Sequence, residues 1–362
     1  MNSGSKVFVT DCEGPVSKND NAFELMSHLV PGGDRVFTLI SRYDDVLADI
    51  VKKPGYKAGD TLRLILPFLK TYGATDERLR AYSSHNILLV AGADETLKFV
   101  NKTMRAFIVS TSYEHYVHAL CDSVKFPKQN TYSTRLNIDK FRLTRKEKER
   151  LRAIAKEISA MPMFEIPDGA VSLRDLPQES LTTMNRLDEF FWNEISQMEA
   201  CRMLKEVNPV GGFEKAKAIK EIVVKTGVDI SDVFYVGDSI TDVDPLQLIK
   251  DGGGLAVSFN GNGYAVREAE IAVMSHHTVV TSILAEVFNR HGKEAVLELA
   301  DAWSSSKMQS LCSPSFVREL ENLPPDKMPI VKRITADNED RLMRESSLFR
   351  KTVRGEAIGR LG

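Results

Sequence analysis

The chain has 362 residues, 48 Lys+Arg against 50 Asp+Glu for a formal charge of -2, and 43% hydrophobic residues. About 150 residues per domain predicts two or three structural units, and the charge balance argues against a nucleic-acid binder working through bulk charge. No apolar run nears the length of a membrane span, and Cys12, Cys121, Cys201 and Cys312 form no CxxC pair, so reduced, buried thiols are expected rather than a disulfide framework or zinc site.

Taken in chain order, MNSGSKVFVTDCEGP enters a strand-like run with no apolar signal region, which predicts a cytoplasmic protein without a membrane partner. Residues 6–10 (KVFVT) are β-branched and apolar and break into DCEGP; 105–109 (RAFIV) break into STS. Residues 232–236 (DVFYV) break into GDSITDVD, 254–259 (GLAVSF) into NGNG, and 270–274 (EIAVM) into SHH. Five such strands separated by helical stretches predict an α/β fold, a Rossmann-like parallel sheet with helices on both faces. Ligands of such sheets bind beyond the carboxyl ends of the strands. Residues 212–226 read as a helix with Phe213, Ile219, Ile222 and Val223 on one side and Gly227 as its stop. Thr144 and Glu147 have capping-box spacing ahead of Leu151, Ile154 and Ile158, and the basic outer face of that helix reads as solvated.

Two long stretches interrupt this rhythm. Ninety-eight residues lie between Asp11 and Ser110 and 104 between Ser110 and Lys215, where a direct βαβ crossover needs only about 30. Each predicts a helix-rich insertion over the strand ends: helices near 43–52, 60–70 and 76–82 in the first, near 144–160 and 185–205 in the second. The expected organisation is a core of residues 1–25, 90–140 and 206–300, a first cap insertion 26–89, a second helical insertion 141–205 and a polar C-terminal tail 301–362. From Lys332 to Gly362, eight Lys/Arg and five Asp/Glu stand among few core-type residues, which predicts a loosely held tail and a place where a protein partner would bind.

The strand ends carry the chemistry. Asp11 and Glu13 stand two residues apart ahead of Gly14-Pro15, and Asp238 and Asp242 sit on another strand-to-helix turn. Carboxylates so close repel one another unless a cation or proton is shared, and hard oxygen ligands of this kind suit Mg²⁺. Ser110 offers a hydroxyl ahead of a helix start, which favours an anion, and Lys215 adds a positive charge. Four acids, a hydroxyl and a lysine at one sheet edge describe a magnesium-assisted phosphoryl-transfer site.

VFVTDCEGPV, AFIVSTS, the lysine in GGFEKAKAI and VFYVGDSITDVD resemble, in this order, the four motifs of the haloacid dehalogenase-like (HAD) superfamily, over about residues 5–25, 90–135 and 210–290. Most members are magnesium-dependent phosphatases; a minority are phosphotransferases, ATPases or dehalogenases. The resemblance implies that Asp11 is the nucleophile and forms an aspartyl-phosphate, that Glu13 is the acid and then the base, that Ser110 holds phosphoryl oxygens and that Lys215 steadies nucleophile and phosphate. It further implies Mg²⁺ held by Asp11, Asp238 and the carbonyl of Glu13, with Asp242 acting directly or through a water. Glu13 departs from the family's usual Asp and moves the carboxyl by about 1.5 Å, though a DxEG form occurs in phosphoserine-phosphatase-like members. The DCEGP form also resembles archaeal HAD-like proteins labelled as subunits of an energy-converting hydrogenase.

Simpler readings stand beside these. Thr111 or Ser112 competes with Ser110, which also suits an N-cap; Lys217 competes with Lys215, and Asp244 with Asp242. His115, His118, His276 and His277 read as satisfied or exposed histidines, Cys12 as a packing residue facing away from Asp11, and Asn260 as either a supporting or a turn residue. The expected activity is Mg²⁺-dependent hydrolysis of a small phosphorylated metabolite. A phosphotransferase and a weakly catalytic subunit of a larger assembly are the alternatives.

Overall fold

Strand-forming runs placed between polar breaks pair here into one sheet. The computed structural model describes residues 6–163, 165–167, 169–359 and 361. The five predicted strands are present as β1 (Val7–Thr10), β2 (Arg105–Tyr113), β4 (Val233–Gly237), β5 (Leu255–Phe259) and β6 (Ile271–Met274). Two more, β3 (Thr131–Thr134) and β7 (Ile330–Arg333), form the edges, in the order β3-β2-β1-β4-β5-β6-β7. Every pairing is parallel except β6 with β7. The chain therefore has a mixed α/β fold. Strand order reverses at β1, which pairs with β2 on one side and β4 on the other, and this reversal is where such sheets open a crevice for ligands.

Period-two alternation explains why the central strands are apolar throughout. Phe8 points into a cluster with Phe234, Val257 and the Val279–His291 helix, while Val7 and Val9 point into another with Tyr235 and the Phe213–Thr226 helix. Each Val, Leu or Phe buried in this way contributes roughly 1.5–3 kcal/mol. The Phe213–Thr226 helix ends on Gly227, whose φ of 67° supplies the left-handed stop expected of it. Phe213 is not on the buried side: it is 49% exposed. The buried face is Lys215, Ala218, Ile219 and Ile222 instead, because Lys215 finds charged partners inside.

Both insertions are helical. Residues Met26, Phe37, Ile40, Ile65 and Phe68 of the first share one hydrophobic cluster with Leu151, Ile154, Leu187 and Phe191 of the second. The two segments thus build a common roof over the strand ends. Its loop at residues 57–60 touches the sheet: a Cβ on Gly59 would collide with Thr111, and one on Gly211 with the carbonyl of Ala58, so glycine at these points lets roof and core close together. The Pro-rich 161–169 stretch lies partly outside the described residues.

The chain beyond residue 301 departs from expectation. Among the described residues it forms the helices Ser305–Leu311 and Pro314–Glu321, strand β7, and the long helix Glu339–Arg354. This last helix buries Leu342, Ser346 and Arg350. Only one of the three is apolar, so the buried face carries no hydrophobic periodicity and reads as a tail from sequence. Leu342 packs against Val266, Ala272 and Met274, and the rest of the attachment is polar: Ser346 donates to the carbonyl of Gly261 at 2.6 Å, and Arg350 and Arg354 reach Asp238.

Candidate active site

Asp11 follows β1 directly, with its N–H on the carbonyl of Val236 at 2.9 Å. Asp238 follows β4, and a tight turn at Ile240–Asp242 brings Asp242 back beneath it. Carboxylate oxygens of Asp11, Asp238 and Asp242 lie within 4.8 Å of one another, all three residues buried. Lys215, with none of its surface exposed, lies between two of them: its Nζ is 2.9 Å from Asp11 Oδ2 and 2.7 Å from Asp242 Oδ1. Lys217 is exposed and leans toward Glu214, and Asp244 is exposed, so neither rival reaches the cluster.

Ser110 is buried and lines the cavity at the strand ends with Asp11, Glu13, Ser112 and Asp238. It is not a helix N-cap, because β2 runs on to Tyr113 and the next helix starts at Glu114; its Oγ accepts the Ser112 N–H at 3.2 Å. Glu13 faces the same cavity. Its Oε2 accepts the Ser112 hydroxyl at 2.5 Å and its Oε1 accepts the Asn21 N–H at 2.7 Å. Sequence reasoning treated Ser112 as a substitute for Ser110; the structure puts it to work on Glu13.

Asp242 has a different position from the other acids. Oδ1 takes Lys215 and the Tyr235 hydroxyl at 2.6 Å, while Oδ2 takes the N–H groups of Asp238 at 3.0 Å and Ser239 at 3.1 Å, together with the Ser239 hydroxyl at 3.3 Å. Both oxygens are saturated, so Asp242 anchors Lys215 and the β4 turn, and direct metal ligation would require it to give up donors. Tyr235 was missed from sequence because it sits mid-strand in an apolar run.

The acids respond differently to burial. Desolvation raises the Asp11 carboxyl to about 7, with Lys215 pulling it back down and the charges of Asp242 and Asp238 adding to the rise. Burial, reinforced by the negative charge of Asp20, lifts Glu13 well above the usual carboxylate range, against the pull of its hydrogen bonds from Ser112 and Asn21. Burial acts on Asp242 too, but there Lys215, Tyr235 and the backbone donors outweigh it and hold the carboxyl below its ordinary value. Burial thus favours the proton-holding form of Asp11 and Glu13, while the donors around Asp242 favour its ionised form.

Two further groups come from the far end of the chain. Arg350 Nη1 pairs with Asp238 Oδ2 and sits 3.1 Å from the Asp238 carbonyl, and Arg354 Nη1 lies 3.2 Å from the same Oδ2. Asp20, and Asp44 and Asp45 of the roof, also line the cavity. Asn260 proves to be a turn residue: with φ of 50° it exchanges two hydrogen bonds with Ser275, both 2.8 Å. Cys12 packs with Phe8, Val16 and Tyr116 on the side away from the site, His115 is held by Asp76 at 2.9 Å, and all four cysteines are free and buried.

The donor set fits a divalent cation. It is made of hard carboxylate oxygens, and Asp238 is approached so closely by Gly14 that a Cβ there would stand well under 3.0 Å from its carboxylate, at a φ of 113° that disfavours other residues. Among the described residues no helix is long and apolar enough to cross a membrane.

No family model and no curated protein matches the chain. Among solved structures it is similar to the gene product AF1437 from Archaeoglobus fulgidus, at 25% identity and a TM-score of 0.79 over 99% of each chain. A phosphoserine phosphatase described as a phospho-aspartyl intermediate analogue matches at 16% identity and a TM-score of 0.44, covering 75% of this chain and 93% of the other. An apo phosphoserine phosphatase matches at 15% and 0.40, covering 74% and 92%. None of these bears on the hydrogenase-subunit resemblance. The similarity to the archaeal gene product spans both insertions and the C-terminal segment as well as the core.

Proposed function

We propose that this chain is a HAD-like phosphatase, a Mg²⁺-dependent hydrolase of small phosphate monoesters working in the cytoplasm through an aspartyl-phosphate on Asp11. The observation that carries the reading is the buried Asp11–Lys215–Asp242 array beside Asp238, at the sheet's switch point, with Glu13, two residues from Asp11, lining the same cavity. An Asp11 oxygen attacks phosphorus, the bond to the ester oxygen breaks, and Glu13 gives that oxygen its proton. Glu13, now a carboxylate, takes a proton from the water that attacks the acyl phosphate, which frees phosphate and restores Asp11. Ser110 donates to a phosphoryl oxygen, and Lys215 keeps Asp11 oriented and pulls its carboxyl toward the ionised form. Asp11, Asp238 and the Glu13 carbonyl would hold the cation, with Asp242 behind a water. When bound, it would neutralise phosphate and carboxylate charge and polarise the phosphoryl oxygens.

The cavity of about 100 Å³ and the contact of the 57–60 loop with the core favour a small metabolite over a macromolecule such as nucleic acid. The test is phosphate release from an aryl phosphate and a metabolite panel, with Mg²⁺, with EDTA, and with Asp11→Asn. Metal-dependent turnover that Asp11→Asn abolishes is the expected result. Folded protein that releases no phosphate from any substrate counts against hydrolysis.

A further inference from the structure

Arg350 stands in the wrong place for a surface arginine and in an unfinished state for a structural one. It is 3% exposed, it lines the cavity with Asp11, Glu13 and Ser110, and its Nε has no hydrogen-bond partner among the described residues. A guanidinium carries five N–H donors, and a buried donor left unpaired is costly. Arg354, one turn further on, is satisfied differently: Nε donates to the Lys18 carbonyl at 3.1 Å and Nη2 to that of Asn19. Arg354 is a strut; Arg350 has donors to spare.

Asp238 supplies the second half of the observation. Lys215 and a backbone N–H take the Asp11 oxygens, and five donors take those of Asp242. The Asp238 side chain, among the described residues, receives only the two guanidinium groups. Arg350 thus sits, beside Arg354, on the one strand-end carboxylate that no lysine, hydroxyl or backbone N–H engages among the described residues, the carboxylate assigned above to a cation. The backbone that carries Arg350 does not depend on that ion pair, because Ser346 bonds to Gly261 and Leu342 packs with Val266, Ala272 and Met274. The helix therefore has anchors of its own apart from the Arg350–Asp238 pair.

We infer that Arg350 is a second anion-binding residue of the site: it and a divalent cation compete for Asp238, and cation binding turns its guanidinium toward a phosphoryl oxygen. The inference rests on the phosphatase reading. With Glu13, Asp20 and Asp238 around the cavity and Lys215 committed to two acids, a phosphate needs a further cationic donor. A planar guanidinium matches its oxygens in a way an ammonium does not.

The experiment is calorimetric titration of the full chain with Mg²⁺ alone, then with inorganic phosphate at saturating Mg²⁺, for the native protein, Arg350→Met and Arg350→Lys. Arg350→Met is expected to bind Mg²⁺ about fivefold tighter and phosphate about tenfold weaker. A merely structural role would weaken both together, so that result, or phosphate affinity unchanged, overturns the inference. If the Met variant does not fold, Arg350→Lys decides: it keeps the charge and loses the fork, so phosphate should weaken about threefold with Mg²⁺ affinity near native, and unchanged phosphate affinity again overturns it. Native protein that binds no Mg²⁺ and releases no phosphate sinks the phosphatase reading along with it. Native protein that does both while the variants bind phosphate normally defeats the role of Arg350 alone.

Discussion

Replacing Lys215 by Met removes a wholly buried ammonium from between two buried carboxylates, 2.9 and 2.7 Å away. Leaving a buried charge without its partner costs about 3–5 kcal/mol, a large part of the roughly 5–15 kcal/mol that holds a domain folded. The loss depends on pH with a definite sign. Asp11 already holds its proton up to about 7 with Lys215 present, chiefly through burial, and Lys215 pulls that value down. Without Lys215 the folded-state value climbs further, while an unfolded Asp ionises near 3.9. Between those values the folded state binds the extra proton, so stability falls as pH rises, and the falling range extends higher in Lys215→Met than in the native chain. Urea unfolding at about pH 6 and about pH 8.5 should therefore show the variant's deficit widening at the higher pH. Adding Asp11→Asn removes one stranded charge and should return about half of the loss. A deficit under about 1 kcal/mol, or one that neither changes with pH nor responds to Asp11→Asn, would refute this account of the cluster.

Three more changes test separate parts of the molecule. Asp44 is raised to about 7, first by burial and then by Asp60, so its proton also favours the folded state below that value; Asp44→Asn should raise stability at about pH 8.5 and do little at about pH 4, seen as melting curves that diverge with pH. Tyr235→Phe deletes the 2.6 Å donor to Asp242 and should cost about 1.5–3 kcal/mol in urea unfolding; no measurable loss would show that Lys215 and the backbone hold Asp242 without it. Gly14→Ala puts a Cβ against the Asp238 carboxylate and should weaken Mg²⁺ binding about tenfold by calorimetry, with unchanged affinity counting against Asp238 as a ligand.

Much of the core was legible because it is written in local patterns. Five apolar runs ending in polar clusters, with helices between them, are sufficient for a parallel sheet, and Asp11 and Asp238 follow from standing at the ends of β1 and β4. Lys215 was legible through the motif resemblance and not through the apolar pattern, which read Phe213 with Ile219, Ile222 and Val223 as the inner face where Lys215 and Ala218 are buried instead of Phe213. Edge strand β3 lacks that signal: TYST is short and polar, as an edge permits. Other features depended on groups supplied from far along the chain. The saturation of Asp242 depends on Tyr235, whose hydroxyl has no partner until the turn folds back over β4. The common roof depends on residues such as Phe37 and Leu151, from separate insertions, meeting in one cluster. Arg350 is the sharpest case, because burying a charged side chain is favourable only opposite a charge, and its partner Asp238 lies 112 positions away. Sequence by itself determined where apolar faces and strand ends fall, since those are periodic and local. Only the tertiary structure decided which polar side chains go inside, since each needs a partner that three-dimensional folding alone delivers.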